Sequence, residues 1–361
     1  MTEMKKICFV DFDMSVTGGV EQVTASLANE LCGMYETFVY AVNKGGESAY
    51  KLDERVVFTE GLAGEKRLRG MIQRTFRPFI HYVKENHIDT VILMGNYPAL
   101  IVSFTRFFTK AKYIYCDHGG LMNQWKQKDI TAIRFWDALT SHKVVVLTEK
   151  TRKDYISRFH TRPGKVACIY NWIEDKVAAA RTDYNDSSRK ILSVGRFGKE
   201  KGYDMLVEMA KTVLPAHPDW QWHVYGTGET FEETAAKIAE YGLGSQLILK
   251  GNVKEAYRLY SEYAFLVLPS YREGLPLVLL EASAVGLPMI SFDVETGPNE
   301  IIEDGRNGFL IPPYELEKME AKIEELISDG GKRRRFAEYD GMRDKFSKEK
   351  ILKQWIEVIE E

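Results

Sequence analysis

Short apolar runs alternate with helical patterns along the whole chain, and this alternation is typical of parallel βαβ units. The first half has five runs that we predict to be strands: Lys6–Val10, Thr37–Val42, Thr90–Leu93, Tyr113–Cys116 and Lys143–Leu147. After a polar stretch at 181–188 the pattern restarts with six more: Ile191–Val194, Gln221–Tyr225, Leu247–Leu249, Phe265–Leu268, Met289–Ser291 and Gly308–Leu310. The chain is therefore predicted to form two doubly wound α/β domains facing one another across a cleft. Ligands in such sheets lie beyond the carboxyl ends of the strands.

The length of 361 residues suits two domains, with one large α/β domain as the alternative. The predicted limits are 1–180 for the first domain and 187–345 for the second, and the segment 348–361 is predicted to form a helix that ends the chain.

Charge, cysteine content and the lack of long apolar runs indicate what kind of partner the protein has and where it is located. The net charge of −3 gives no hint of a nucleic-acid partner, and the four cysteines are widely spaced, as expected for reduced thiols of a cytoplasmic protein. The apolar stretch near the N-terminus is too short for a signal peptide, and no run of about 18 apolar residues follows. The protein is predicted to be cytoplasmic, with contact at the inner face of the membrane left open.

Two linked elements between Gly195 and Glu281 point to a phosphate-bearing ligand. Arg196 follows a predicted strand directly, and Lys201 comes five residues later. Such a guanidinium and ammonium suit phosphate oxygens, although a solvated basic loop is the alternative. A glycine-opened helix is then predicted at Pro276–Val285, and its N-terminus can offer N–H groups to an anion. Glu273 and Glu281 flank that N-terminus, as a ligand carrying sugar hydroxyls would require.

These residues resemble the retaining glycosyltransferases of the two-Rossmann (GT-B) architecture, in family 4. That family has a G-R-x-x-x-x-K-G element and two glutamates separated by seven residues, and both patterns stand intact here at 195–202 and 273–281. The resemblance covers nearly the whole chain. It implies that the final helix, 346–361, crosses back to the N-terminal domain.

The resemblance also implies roles for particular residues. Arg196 and Lys201 would bind the donor pyrophosphate, Glu281 the ribose, and Glu273 the transferred sugar. The remaining donor-binding positions it implies are Gly19, Gly195, Gly251, Asn252, Val253, Gly274, Leu275, Pro276 and Leu277. The residues taken as catalytic are His118, Glu273, Arg196 and Lys201.

The acceptor side is predicted from the first half of the chain. Gly18 and Gly19 follow the first strand and allow a close backbone approach to an anion or sugar, although glycine pairs are common in turns. His118 follows a buried-looking strand and matches the family position beside the donor sugar, whereas a lone histidine is more often structural. Gly18, Gly19 and His118 are the predicted acceptor-side residues.

No metal or other cofactor is expected. Asp11 and Asp13 form a D-x-D pair, the metal-binding mark of a different glycosyltransferase architecture, but they lie at the end of the first strand, away from the predicted donor groups. Arg196, Lys201 and the helix dipole already supply the positive charge that a metal would bring.

The segment Thr296-Gly297-Pro298 departs from the commoner form of the family. It resembles a variant of transferases that use galactose-type or N-acetylhexosamine donors.

Basic and aromatic residues mix at 66–77 and again at 106–112. The first group is Lys66, Arg67, Arg69, Arg74 and Arg77, interleaved with Leu68, Met71, Ile72, Phe76 and Phe79. This mixture suits docking on an anionic membrane, and the alternative is a solvated amphipathic face.

The sequence therefore predicts a retaining enzyme that needs no metal. It would move a hexose or N-acetylhexosamine from a UDP-sugar to a hydroxyl of a glycan, and a lipid-linked glycan is the expected acceptor. The alternatives are a non-hydrolysing UDP-sugar epimerase on the same fold and a sugar-nucleotide-binding subunit without turnover.

Overall fold

The protein is described by a computed structural model that covers residues 4–61, 64 and 67–361. By its internal contacts the chain divides into two compact units, Met1–Tyr170 with Gln354–Glu361, and Asn171–Lys353. The polar stretch at 181–188, where the predicted limits of the two domains meet, lies within the second unit. It does so because the chain joins that unit as soon as it passes Tyr170: the amide of Ile173 donates to the carbonyl of Phe346 (3.1 Å), and Val177 is buried.

The first unit contains a seven-stranded parallel sheet. Its strands are β1 Lys6–Asp11, β2 Glu36–Ala41, β3 Val57–Glu60, β4 Thr90–Met94, β5 Lys112–Asp117, β6 Lys143–Val146 and β7 Val166–Cys168, in the order β3-β2-β1-β4-β5-β6-β7. Its helices are α1 Gly19–Leu31, α2 Leu68–Glu85, α3 Asn96–Val102, α4 Lys128–Thr140 and α5 Glu149–Phe159, with 3₁₀ turns at Ser103–Phe108, Met122–Gln124 and Pro163–Lys165.

The second unit contains a six-stranded parallel sheet. Its strands are β8 Lys190–Val194, β9 Gln221–Tyr225, β10 Leu247–Gly251, β11 Phe265–Leu268, β12 Met289–Phe292 and β13 Gly308–Ile311, in the order β10-β9-β8-β11-β12-β13. Its helices are α6 Asp175–Ala178, α7 Tyr203–Val213, α8 Phe231–Glu240, α9 Leu277–Val285, α10 Pro298–Ile301, α11 Leu316–Ser328 and α12 Gly330–Glu338, with 3₁₀ turns at Lys199–Lys201, Leu214–Ala216 and Ala256–Glu262.

Both units are doubly wound, as predicted. All eleven predicted strands are present to within one or two residues, because apolar runs buried on both faces are distinctive in sequence. The edge strands β3 and β7 were not predicted, since each is short and only partly buried.

The last helix, α13 (Lys348–Glu360), spans the division between the units. Near its start, Lys348 Nζ lies 2.8 Å from Oδ2 of Asp175 in the second unit. Near its end, Glu360 accepts a hydrogen bond from the hydroxyl of Tyr35 (2.9 Å) and pairs with Lys5, both in the first unit.

Among the described residues, no helix has both the length and the apolar character needed to cross a membrane. The four cysteines are free, and Cys8, Cys32 and Cys116 are buried.

A buried histidine on β9 is expected to make the second unit sensitive to acid. His223 is 5% exposed, and its ring contacts the hydroxyl of Tyr263 (3.0 Å). Burial, with the charges of Lys250 and Lys190, lowers the pKa of His223 to about 4 from 6.5. Between pH 6.5 and 4 the unfolded chain therefore binds a proton at His223 that the folded chain does not. The contribution of His223 to the free energy of unfolding falls by up to about 3 kcal/mol as pH decreases through this range and is constant above it.

The measurement is the free energy of unfolding in urea at several pH values, for the wild type and His223→Gln. The variant should show a smaller loss between pH 6.5 and 4. An unchanged pH slope would show that His223 does not titrate as described.

Candidate functional site

A lysine and a glutamate from the two predicted donor elements meet in the second unit. The strands that precede them, β8 and β11, are neighbours in the sheet. Nζ of Lys201 lies 2.7 Å from Oε1 of Glu273, and the hydroxyl of Ser270 donates to the same oxygen at 2.6 Å. Glu273 is only 8% exposed. A carboxylate so deeply buried needs such partners, so the pair fixes the position of both side chains.

A glycine lets the two backbones approach closely enough for this contact. Gly202 has φ +68°, and a Cβ atom there would lie 2.1 Å from the carbonyl oxygen of Pro269. The amide of Tyr271 also donates to the carbonyl of Glu200 at 2.8 Å. Any side chain at 202 would push the turn that carries Lys201 away from the loop that carries Glu273.

A second glycine brings three strand ends together. Gly226, after β9, has φ +139°, and a Cβ atom there would lie 1.9 Å from the carbonyl oxygen of Gly195. Its amide donates to the carbonyl of Gly251 at 2.8 Å. Gly195 at the end of β8 and Gly251 at the end of β10, both predicted donor positions, are thus joined through the end of β9. Asn252, which is exposed, and Val253, which is half-buried, come directly after Gly251 in the chain.

Arg196 is held more loosely than Lys201. Its side chain is 72% exposed and pairs with Glu200 at 2.9 Å, four residues along the chain. Burial opposes ionisation of Glu200, but the hydrogen bond and charge of Arg196 outweigh it and lower the pKa of that carboxyl. Exposed pairs of this spacing contribute only about 0.3–0.5 kcal/mol, so an anionic ligand can recruit Arg196 at small cost.

Glu281 is positioned by a tyrosine. The hydroxyl of Tyr260 donates to Oε2 of Glu281 at 3.0 Å. Burial, with the charge of Glu281, raises the pKa of Tyr260 well above 10, so this phenol keeps its proton and stays a donor. Glu281 is therefore held as an acceptor of further hydrogen bonds.

The helix between the two glutamates begins one residue later than predicted. Pro276 was expected to be its first residue, but with ψ 112° its backbone is extended and it caps α9 instead. Its carbonyl accepts the amides of Leu279 (3.1 Å) and Leu280 (3.2 Å). The amides of Leu277 and Val278 occupy the first turn, where a helix leaves donors for an anion.

The segment Thr296-Gly297-Pro298 holds the loop that carries Glu273 in place. This supporting role was not predicted from the sequence. Thr296 is fully buried, and its hydroxyl donates to the carbonyl of Glu273 at 2.6 Å. Gly297 has φ +101°, and a Cβ atom there would lie 2.5 Å from the carbonyl oxygen of Gly274. The segment thus fixes the backbone of the two residues at the centre of the predicted donor site.

His118 lies in the first unit, directly after β5. Burial lowers the pKa of His118 to about 4, although the charge of Asp117 opposes this shift. The ring is therefore neutral near pH 7. Its Nε2 is buried and has no hydrogen-bond partner in the part of the chain that the structure describes. A neutral imidazole with an unpaired nitrogen can bind a ligand hydroxyl.

A buried ion pair beside His118 was also not predicted. Asp117 and Arg134 are both fully buried, with Nε of Arg134 2.9 Å from Oδ2 of Asp117 and Nη2 2.9 Å from Oδ1. The hydroxyl of Tyr155 donates to Oδ2 at 2.8 Å, and the amide of Gly119 donates to Oδ1 at 3.1 Å. The carboxylate therefore closes a turn around His118. The acid at the strand end was visible in the sequence, but α4, which carries Arg134, was not predicted.

The predicted glycine pair lies at the start of α1. Gly18 precedes the helix and Gly19 is its first residue. The carbonyl of Gly18 accepts hydrogen bonds from the amide of Gln22 (3.1 Å) and from the hydroxyl of Tyr50 (3.0 Å). The turn is thereby fixed, with the first amides of α1 beside it.

The two carboxylates of the D-x-D pair have partners within the chain. Asp11 is 1% exposed and accepts a hydrogen bond from Thr24 at 2.6 Å. Asp13 accepts hydrogen bonds from the hydroxyl of Ser15 (2.6 Å) and from Asn43 (2.7 Å). Over the described residues, no group of three or more His, Cys, Asp or Glu side chains is arranged to hold a metal ion.

Two family models match adjacent halves of the chain. The model described as Glycosyltransferase Family 4 matches residues 17–177, and the model described as Glycosyl transferases group 1 matches residues 176–341. Together with the two doubly wound sheets, these matches define the class. The chain belongs to the GT-B glycosyltransferases of the family 4 type.

Individual proteins resemble the chain over its full length. An amylovoran biosynthesis glycosyltransferase, AmsD of Erwinia amylovora, is 27% identical over 99% of this chain and 100% of its own. An uncharacterized glycosyltransferase of Haemophilus influenzae is 25% identical over 98% of this chain and 99% of its own. The crystal structure of a TarM mutant of S. aureus, with fondaparinux, alpha-GlcNAc-glycerol and UDP, has a TM-score of 0.83 at 17% identity, covering 99% of this chain and 100% of that one. This last likeness concerns the fold.

Proposed function

We propose that the protein is a retaining glycosyltransferase that moves a hexose or N-acetylhexosamine from a UDP-sugar to a hydroxyl of a lipid-linked glycan. This transfer would be a step in the synthesis of a cell-surface polysaccharide, and the reaction would need no metal ion. The observation that carries the proposal is the buried contact between Lys201 and Glu273. It places a cation for phosphate and an acceptor for sugar hydroxyls side by side.

The rest of the donor would be held by groups around that contact. Arg196 would leave Glu200 to join Lys201 on the diphosphate, and the first amides of α9 would meet the same phosphates. Glu281, fixed by Tyr260, would accept the ribose hydroxyls. With this much positive charge, the site can stabilise a departing nucleoside diphosphate without a metal.

Catalysis would rest on positioning and electrostatic stabilisation. The bond between the anomeric carbon and the diphosphate oxygen breaks, and the acceptor oxygen bonds to the same face of that carbon. The acceptor's proton passes to the departing diphosphate. The neutral ring of His118 would bind a sugar hydroxyl without adding positive charge near the oxocarbenium-like centre.

The relatives' names favour parts of this proposal. AmsD is named for the biosynthesis of amylovoran, and the TarM structure contains UDP and a glycoside described as alpha. An α-linked product from an α-linked UDP-sugar would mean retention. A lipid-linked acceptor would also agree with the membrane contact predicted for Lys66–Arg77, of which Lys66 lies outside the described residues.

UDP or a UDP-sugar is expected to raise the thermal stability of the protein, equally with and without EDTA. A ligand at a hundredfold excess over its Kd adds about 2.7 kcal/mol. Arg196→Ala should reduce the gain because it removes a cation from the diphosphate. Lys199→Met removes an exposed charge from the same turn and should leave the gain intact, so it is the matched control. The measurement is a thermal-shift series with UDP, GDP, ADP and their sugars.

Three outcomes would contradict parts of the proposal. Stabilisation by GDP- or ADP-sugars alone would change the donor, and loss of stabilisation in EDTA would mean that a metal is needed. Conversion of the UDP-sugar without any acceptor would indicate an epimerase. With an acceptor present, NMR of the product would show whether the anomeric configuration is retained.

A further inference from the structure

The first unit carries a cluster of large apolar side chains in contact with solvent. Its members, here called the aromatic face, are Phe104 (45% exposed), Phe107 (63%), Phe108 (54%), Phe135 (44%) and Leu139 (57%). The first three lie on the 3₁₀ turn Ser103–Phe108, and the last two lie one helical turn apart on α4. Scattered exposed apolar residues are ordinary on soluble proteins, but a contiguous patch marks an interaction surface.

Ring contacts join the phenylalanines of the 3₁₀ turn to α4 and to α2. The ring of Trp136 lies 4.6 Å from that of Phe104 and 5.8 Å from that of Phe107. On the other side, Phe108 lies 5.6 Å from Phe76 of α2. The patch therefore runs from α4 across the 3₁₀ turn to α2.

Buried polar contacts hold the aromatic face in place. Arg106, between the exposed phenylalanines, pairs with the fully buried Asp137 of α4. The hydroxyl of Ser103 donates to Asp137 at 2.7 Å, and the guanidinium of Arg106 donates to Thr140 at 2.7 Å. The turn cannot fold its phenylalanines inward without breaking this network, so the apolar surface is a fixed feature of the fold.

Positive charge surrounds this surface. The segments 67–85, 103–116 and 128–143 contain three acidic residues, Glu85, Asp129 and Asp137, and the last of these is buried and paired with Arg106. Exposed cations lie on the same segments: Arg67, Arg69, Arg74, Arg77, Lys84 and Lys110. A second copy of this chain would bring its own cations against these, so self-association through the patch is electrostatically unfavourable. A surface of anionic headgroups over an apolar interior matches both properties.

We infer that the aromatic face and the cations of α2 dock the protein on an anionic lipid bilayer. Phe107, Phe108 and Leu139 enter the apolar boundary, and Arg69, Arg74 and Arg77 contact the headgroups. This inference rests on the surface alone and not on the proposed donor or reaction, so its failure would leave the proposed function standing. It would, if correct, keep the enzyme where a lipid-linked acceptor is found.

The test is co-sedimentation of the full chain with vesicles of phosphatidylcholine, with and without phosphatidylglycerol. The wild type should bind the vesicles that contain phosphatidylglycerol and release them as salt is raised. Phe107→Ser with Leu139→Ser should lower binding at least tenfold, because both side chains are more than half exposed and lie outside the buried network. Arg74→Gln with Arg77→Gln should lower binding and remove most of its salt dependence.

The matched control is Met34→Ser with Val57→Ser, which removes two exposed apolar side chains of the same unit outside the aromatic face (46% and 49% exposed). It should bind like the wild type. Circular dichroism would show that each variant is folded. The inference is overturned if the wild type does not sediment with anionic vesicles, or if the control variant loses as much binding as Phe107→Ser with Leu139→Ser. A dimer in solution that Phe107→Ser with Leu139→Ser abolishes would also overturn it, since the face would then join two copies of the chain.

Discussion

Replacing Lys201 by methionine is expected to lower kcat/KM by about a hundredfold to a thousandfold, the usual effect of losing one group that stabilises charge in the transition state. The ammonium of Lys201 lies 2.7 Å from Glu273, so it is already positioned beside the predicted transferred sugar before any donor binds. Methionine keeps most of the side chain's length and apolar volume but removes the charge. The diphosphate would then leave with Arg196 and the amides of α9 as its remaining stabilising groups.

Lys199→Met is the control for this prediction, because it makes the same change two residues earlier at an exposed position. Its kcat/KM should stay within a few-fold of the wild type. The double variant Lys201→Met with Glu273→Gln tests whether the two residues act as a pair: its loss should be smaller than the product of the two single losses. Wild-type kcat/KM in a folded Lys201→Met enzyme would refute the donor site as described.

The sequence was sufficient to predict the two sheets and the residues at their carboxyl ends. Strands buried on both faces produce unmistakable apolar runs, and Arg196 and Glu273 stand directly beyond such runs. What the sequence could not predict was which of the charged residues touch. Lys201 contacts Glu273 and not Glu200, because Gly202 lets its turn approach Pro269, and such an approach depends on the backbone of another element.

The supporting residues were harder still to predict. Thr296 stood in the sequence as part of a variant motif, but its hydrogen bond to the carbonyl of Glu273 depends on where α10 and its preceding loop pack. Arg134 is an ordinary basic residue by pattern, and its complete burial follows from its pairing with Asp117. Periodicity locates elements, whereas buried polar contacts are properties of how those elements pack.

Arg134→Met is expected to destabilise the protein by about 3–5 kcal/mol, because it leaves the carboxylate of Asp117 buried without its counter-charge. The hydrogen bonds from Tyr155 and Gly119 would remain, and they do not neutralise the charge. Urea unfolding at pH 7 measures the loss. Since Asp117 also closes the turn around His118, the folded fraction of this variant should have reduced transferase activity as well.

Two further variants separate the charge from the packing at this site. Tyr155→Phe removes one hydrogen bond to a charged group and should cost only about 1.5–3 kcal/mol, leaving the ion pair in place. Asp117→Asn with Arg134→Met removes both charges, so it should recover much of the stability lost in Arg134→Met alone. Recovery of stability without activity would mean that the charge of the Asp117 carboxylate, and not only its hydrogen bond to Gly119, is needed at the His118 turn. If Arg134→Met were as stable as the wild type, the ion pair could not be what holds the His118 turn.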